Sequence, residues 1–339
     1  MSDKKVVKLK KVKEVGVDCG FGNVKVATFI FKKDEQGKII REEWLHIFPS
    51  RFKRLTSEST ESIHLNNEAY SFIDGELIVN NGHASKENED TRVLLWKALY
   101  DVYLETGDTT FNICMNAALD SHKKDEGRSI MEKMLEVKTI VVKERFKKEV
   151  ELTINNLECF PECLVGGATA GKDQINLREE EVIMIDFGTY NMQGIYVLNG
   201  SPKYNRSFAT QFGMDHIYRA LANIIKVEER GLSTPEAMQL YLEKTATGKA
   251  KIIPRVDDLI MSYLINEIFS ELDKELDMIK PSLYCKILLG GGGSITLQRF
   301  LDAKFIEDKD KIYLKKSVFA NAIGLLGKAV RLFNEKESK

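Results

Sequence analysis

The sequence predicts an α/β protein of two similarly built lobes, and three segments carry that prediction. Val15-Gly16-Val17-Asp18-Cys19-Gly20-Phe21-Gly22-Asn23-Val24-Lys25 and Ile183-Met184-Ile185-Asp186-Phe187-Gly188-Thr189-Tyr190-Asn191-Met192-Gln193 share Asp, Gly and Asn at matching positions. Each reads as a buried strand, an Asp-x-Gly turn and a returning strand. The third segment, Lys286–Ser294, is an apolar strand that runs into four consecutive glycines. An apolar-periodic helix, Ile295–Leu301, is expected to follow it.

This layout suits an anion. A glycine in the turn lets backbone N–H groups approach without a side chain in the way, and the neighbouring Asp can hold a cation or a water. Glycines at the end of a strand admit a flat ring or a phosphate onto the backbone, and a helix N-terminus adds a favourable dipole. Two such hairpins in one chain predict a polyphosphate gripped from both sides.

In this order and spacing the three segments resemble the nucleotide site of the actin, sugar-kinase and heat-shock-chaperone superfamily, as its phosphate-1 loop, phosphate-2 loop and adenosine motif. The resemblance spans Val15 to Val330. It implies an actin-like fold of duplicated ribonuclease-H-like domains, with a nucleotide cleft between the lobes and a small β-rich insertion. The implied boundaries are lobe I at 1–176, including an insertion at about 34–88, lobe II at 177–311, and a helix at 312–339 that returns to lobe I.

The resemblance also implies roles. In the first loop Asp18 would hold Mg²⁺ through water, Asn23 and Lys25 would contact phosphate, and Gly20 and Gly22 would admit it. Lys25 suits this as a compact positive charge. In the second loop Asp186 would be the catalytic-side carboxylate, also near Mg²⁺, with Gly188, Thr189 and Asn191 around phosphate. Here Tyr190 stands near the usual second glycine. Gly290, Gly291, Gly292 and Gly293 would receive the nucleoside, and Asp215, opening a helix after Gly213, would lie near ribose or phosphate. Asp215 also reads simply as a helix-start charge. Pro161-Glu162 follows a strand and opens a small-residue helix, where Pro and Glu both suit the first turn. The plasmid-segregation actins carry a Pro-Glu at this place, which makes Glu162 the residue that aims the attacking water. Gly166–Lys172 mimics the start of a P-loop, but Asp173 replaces the required hydroxyl. That segment is therefore read as a tightly packed helix. Ala320-Asn321-Ala322 and Gly324 resemble the second connecting motif, a close helix crossing at the hinge.

The remaining elements follow in order. Asn66-Asn67 and Asp74-Gly75 predict tight turns between short strands Ser62–Leu65, Ala69–Ile73 and Leu77–Asn80, a small separate β-rich unit. Thr91–Thr106 predicts a helix with an apolar face. A strand at Phe111–Met115, a helix at Lys124–Leu135 and strands at Thr139–Lys143 and Lys148–Ile154 fit an α/β lobe. Asn199-Gly200 predicts a second hairpin. Helices are expected at Met214–Lys226, Pro235–Thr245, Asp257–Ile279 and Ser317–Phe333.

Composition limits the partners. In 339 residues, 50 Lys and Arg face 51 Asp and Glu, so nothing global calls for nucleic acid or an anionic membrane. No apolar run approaches the ~20 residues of a membrane span, and the polar N-terminus predicts no leader. The alternating Lys and Val of residues 4–13 read as a tail entering the first strand. Cys19, Cys114, Cys159, Cys163 and Cys285 sit mostly in apolar runs and predict reduced thiols in a cytoplasmic protein. The expectation is a ParM-like plasmid-segregation actin. It would polymerise with ATP or GTP and Mg²⁺, hydrolyse the nucleotide within filaments of itself, and meet plasmid through a DNA-binding adaptor. A small-molecule kinase of the same fold and a non-polymerising actin-like binding module are the alternatives.

Overall fold

Alternation along the first strand sets the arrangement of the first half. In β1 (Val12–Cys19), Val15 and Val17 enter one apolar cluster while Gly16 lies on the opposite face. β1 pairs antiparallel with β2 (Asn23–Lys33). The structure is a computed structural model that describes residues 12–56, 62–77, 88–117, 124–144, 148–170, 175–225, 229–305 and 311–337. The lysine-rich segment before Val12, the end of the Leu77–Asn80 run and residues 171–173 lie outside them.

The other strands are β3 (Ile39–Pro49), β4 (Arg51–Leu55), β5 (Ile63–Leu65), β6 (Glu68–Leu77), β7 (Thr110–Ala117), β8 (Thr139–Glu144), β9 (Val150–Pro161), β10 (Glu181–Phe187), β11 (Met192–Leu198), β12 (Ser201–Thr210), β13 (Lys286–Gly290) and β14 (Lys311–Tyr313). They form a nine-stranded sheet, β3-β2-β1-β7-β9-β8-β5-β6-β4, and a five-stranded sheet, β12-β11-β10-β13-β14. The first five strands of the large sheet repeat the small one. In both, two antiparallel pairings lead from the edge to the hairpin's first strand, and two parallel pairings follow. The near-copied hairpins are therefore equivalent parts of a duplicated α/β unit.

The β-rich section is not a detached unit. β5 pairs with β8, which carries β6 and β4 into the large sheet, and β3 lengthens its opposite edge. Asn66, at φ 57°, makes the expected tight turn between β5 and β6. Asp74-Gly75 makes none. It lies inside β6, where the pairing with β4 slips between Phe52 and Lys53, so its flexible residues serve a bulge.

The helices are α1 (Glu89–Thr106), α2 (Lys124–Leu135), α3 (Leu164–Ala170), α4 (Met214–Ile225), α5 (Pro235–Ala246), α6 (Pro254–Tyr263), α7 (Ser270–Ile279), α8 (Gly291–Thr296), α9 (Gln298–Lys304) and α10 (Ala320–Glu337). Asn88 caps α1 by accepting from the Thr91 N–H at 2.7 Å, and Gly107, at φ 75°, ends it. The expected helix Asp257–Ile279 is interrupted. A π-turn at Leu264–Phe269 joins α6 to α7 without leaving helical geometry, and it keeps Leu264, Ile268, Phe269 and Leu272 all buried. The glycines before the expected helix Ile295–Leu301 instead form its first turn, and the helix breaks at Leu297 before α9.

α3 and α10 connect the two sheets. Val182 and Met184, on one face of β10, share a cluster with Cys163 and Ala320, whereas Ala322 and Leu326 pack with Ala27 of β2. A Cβ on Gly16 would overlap the Ala322 carbonyl and the Leu326 nitrogen, and one on Gly324 would overlap the Val165 carbonyl. Gly167 meets Met184 and Gly166 meets Asn321 in the same way, so these two glycines of the P-loop-like run serve packing.

These close approaches predict that Gly16→Val costs about 3 kcal/mol of stability, because backbone rather than a movable side chain opposes the added carbons. Gly292→Ala, whose Cβ would meet nothing within 4 Å, is the control and should cost far less. Urea unfolding measures both. Equal losses would contradict this packing.

Candidate functional site

The two hairpins bring their carboxylates to one place. In the ladders Asp18 pairs with Lys25 and Asp186 with Gln193, which are equivalent positions of the repeat. Lys25 Nζ lies 3.0 Å from Asp18 Oδ2. Asp18 Oδ1 accepts from Asn116 Nδ2 at 2.7 Å, and Asp186 Oδ2 accepts from Asn321 Nδ2 at 2.8 Å. Asn116 comes from β7, next to β1, and Asn321 from the start of α10.

The tips of the hairpins touch. A Cβ on Gly22 would overlap Thr189 Oγ1, and Phe21 meets Tyr190 edge-on with ring centroids 6.1 Å apart. Tyr190 thus closes one hairpin onto the other where a glycine was expected. The second turn is closed by the Gly188 N–H donating to the Asn191 carbonyl at 2.9 Å. Its Gly188 and Thr189 carbonyls accept the first N–H groups of α4, from Met214 and Asp215, at 3.0 and 2.8 Å. Gly213 is required here because a Cβ would overlap the backbone of Tyr190 and Asn191.

Between the hairpins lies a cleft of about 590 Å³. Asp18, Gly22, Asn23 and Lys25 line it from one side, and Asp186, Gly188, Thr189 and Asp215 from the other. Gly291, Gly292 and Gly293 close one end with Thr296, Tyr218 and Thr247. Four expected site residues stand back from this lining: Gly20, Glu162, Asn191 and Gly290. Gly20 receives the Ser50 hydroxyl on its carbonyl, Asn191 closes its own turn, and Gly290 packs against Leu314. Of the four glycines Gly292 faces open space, while Gly291, at φ 78°, sits against Asp186 and Gly293 against Met214 and Phe187. Asp215 lines the cleft with its carboxylate engaged by Arg219 at 2.7 Å.

Glu162 sits behind Asp18 and is held from two directions. Asn116 Nδ2 donates to its Oε1 at 2.5 Å, and Gln193 Nε2 donates to its Oε2 at 2.6 Å. Asn116 and Gln193 were not anticipated from the sequence, and Asn321 was read only as a packing residue. Gln193 had a signal: it occupies in the second hairpin the place of Lys25 in the first.

The electrostatics are unbalanced. Burial opposes the charge on Lys25, but Asp18, with Asp186 and Glu162 behind it, holds the ammonium above its ordinary value. Burial pushes Asp186 up to about 6, with Asp18 and Glu162 adding to the rise and Lys25 and Asn321 opposing it. Three carboxylates therefore share one ammonium, and the surplus negative charge fits a divalent cation. A hard cation that keeps several waters needs only one or two carboxylates, and Asp18 and Asp186 provide them at the cleft. No group of three or more His, Cys, Asp or Glu that could hold a metal is found among the described residues.

Residues 16–164 match the family described as actin-like proteins, N-terminal domain. The fold is that of the actin-like proteins. The archaeal actin homologue Ta0583 aligns over 95% of this chain and 99% of its own, at a TM-score of 0.71 and 21% identity, and it has also been solved in complex with ADP. Bacillus thuringiensis ParM with ATP aligns over 95% and 99%, at 0.66 and 14%. AlfA from the B. subtilis plasmid pLS32, solved as a filament, aligns over 94% and 99%, at 0.57 and 16%. No curated protein sequence matches the chain. Among the described residues no helix is long and apolar enough to cross a membrane.

The raised Asp186 sets a pH dependence for the nucleotide-free chain. Its folded pKa of about 6 lies above the ordinary 3.8, so the folded state holds the proton more tightly. Its contribution to stability is complete below about pH 3.8 and is lost as pH rises through 6, on the order of 2 kcal/mol after allowance for solvent screening. Asp186→Asn should therefore gain on the wild type between pH 4.5 and 7.5 in urea unfolding. A difference that does not change with pH would contradict this environment.

Proposed function

We propose that this actin-like chain binds a Mg²⁺-nucleoside triphosphate, ATP or GTP, in the cleft and hydrolyses it in the course of assembling into filaments. The observation that carries the reading is the convergence of the duplicated hairpins, which sets Asp18, Lys25 and Asp186 around one cleft with Glu162 fixed beside them. The relatives solved with ADP, with ATP and as filaments support it.

Each residue then has a task. Backbone N–H groups of the two turns, with Asn23 and Thr189, receive the phosphates, and Lys25 supplies the compact positive charge that the terminal phosphates need. Asp18 and Asp186 would hold Mg²⁺ through water, and that ion, when bound, offsets phosphate charge. Glu162 aims and deprotonates the attacking water, a carboxylate suited to the task because two amide donors fix its orientation. Phosphoryl transfer asks chiefly for positioning and charge stabilisation, so these few groups suffice. The Gly291–Gly293 end of the cleft, with Tyr218 and Thr296, receives the nucleoside.

Assembly follows if triphosphate binds more tightly to the closed, assembled form than to the free subunit. The finer role we propose is that of a ParM-like filament that moves plasmid DNA through a DNA-binding adaptor, with no direct contact to nucleic acid. The β4-β6-β5 edge of the large sheet is the candidate subunit contact.

Light scattering and sedimentation with Mg²⁺ and ATP, GTP or a slowly hydrolysed analogue should show polymer above a critical concentration, which diphosphate raises. Glu162→Ala should still bind and assemble, while phosphate release slows about 10²–10⁴-fold, the range of general-base removal. A chain that stays monomeric at tens of micromolar with every nucleotide would overturn the filament reading, and an unchanged release rate would overturn the role of Glu162.

A further inference from the structure

Asn116 is fully buried, yet it makes three polar contacts that span the site. Its Oδ1 accepts from the Cys19 backbone N–H at 2.7 Å, which fixes which end of the amide is oxygen. Its Nδ2 therefore faces the carboxylates, and its two hydrogens go one to Asp18 and one to Glu162. Asp18 and Glu162 are thus held by one planar group whose orientation is set by the backbone of the first hairpin.

The other end of the connection belongs to the second sheet. Gln193, on β11 and 3% exposed, donates to the remaining oxygen of Glu162. Its own Oε1 has no partner among the described residues. The series Asp18–Asn116–Glu162–Gln193 crosses from one sheet to the other through a single carboxylate. Each carboxylate oxygen of Glu162 accepts an amide from a different sheet.

We infer that Asn116 and Gln193 are positioning residues that form an amide relay, setting the aim of Glu162 from both sheets at once and making hydrolysis depend on their closed arrangement. The inference rests on the nucleotide-hydrolysing reading of the cleft and adds its regulation. Rotating one sheet against the other would separate Gln193 from Glu162 while Asn116 kept its place on the first sheet. Glu162 would then lose one of its two donors, and the carboxylate would be free to turn away from the water it aims. Nucleotide binding would survive this, because neither amide belongs to the lining of the cleft.

Two variants keep the test independent of folding. Gln193→Met removes the donor from the second sheet at nearly constant shape. Asn116→Asp keeps the oxygen that accepts from Cys19 and, protonated between two carboxylates, has a single O–H in place of the two amide hydrogens, so it cannot hold Asp18 and Glu162 together. Affinity for a fluorescent triphosphate analogue with Mg²⁺ should stay within about fivefold for Gln193→Met, while single-turnover phosphate release falls more than tenfold in both variants. In a Glu162→Gln background Gln193→Met should slow release no further, since the relay acts only through that carboxylate. A nucleotide-free readout completes the set: in a thermal-unfolding cycle the losses of Glu162→Ala and Gln193→Met should sum to more than the double variant loses. Unchanged release in both variants, or additive losses in both cycles, would overturn the relay. If the wild type neither hydrolyses nor assembles, the functional reading fails, and the unfolding cycle still decides whether the relay exists.

Discussion

One ammonium has to serve three carboxylates drawn from both halves of the chain. Lys25 lies 3.0 Å from Asp18 and within the field of Asp186 and Glu162. The strands that deliver Asp18 and Asp186 are equivalent members of a repeated sheet, so duplication of the fold also duplicated the acidic hairpin without duplicating the lysine. Gln193 stands where a second lysine would have stood. The result is a site with surplus negative charge, which is costly in a shielded cleft unless a cation arrives. The raised Asp186 is the signature of that cost.

Close packing holds the two acidic hairpins at this distance. α3 and α10 lie between the sheets, and glycines at 16, 166, 167 and 324 let backbone meet backbone or side chain there without a Cβ. Cys163 adds a polar link: its thiol donates to the Met184 carbonyl of β10 at 3.2 Å, and burial pushes the thiol up so that it keeps its proton. The residue directly after Glu162 is thus fastened to the second sheet, and Asn321 of α10 is fastened to Asp186. A movement between the sheets would reach the carboxylates through these same contacts.

Much of this was legible in the chain because it is local. The hairpins, the strand before the glycines, the turns at Asn66 and Asn199, and the first turn of α5 at Pro235 each announce themselves within a few residues. What stayed hidden depends on distance along the chain. Asn116 reads as one polar residue in an apolar strand, and nothing nearby reveals partners 98 and 46 positions away. Asp74-Gly75 carries the composition of a turn, but pairing with β4 made it a bulge. The π-turn keeps Ile260, Leu264, Ile268, Phe269 and Leu272 in one buried cluster, and a regular 3.6-residue period could not show the interruption. The four consecutive glycines looked alike in sequence, and only their neighbours separate Gly292, which faces open space, from Gly291 and Gly293, which line the cleft while closely packed, and from Gly290, which stands back from it.

Equilibrium binding of nucleoside tri- and diphosphate, with and without Mg²⁺, to the wild type and to Lys25→Met tests the central claim most directly. If the hairpins form one phosphate site around that ammonium, wild-type affinity should depend strongly on Mg²⁺. Lys25→Met should lose more affinity for triphosphate than for diphosphate while remaining folded. Affinity indifferent to both Mg²⁺ and Lys25 would contradict the account.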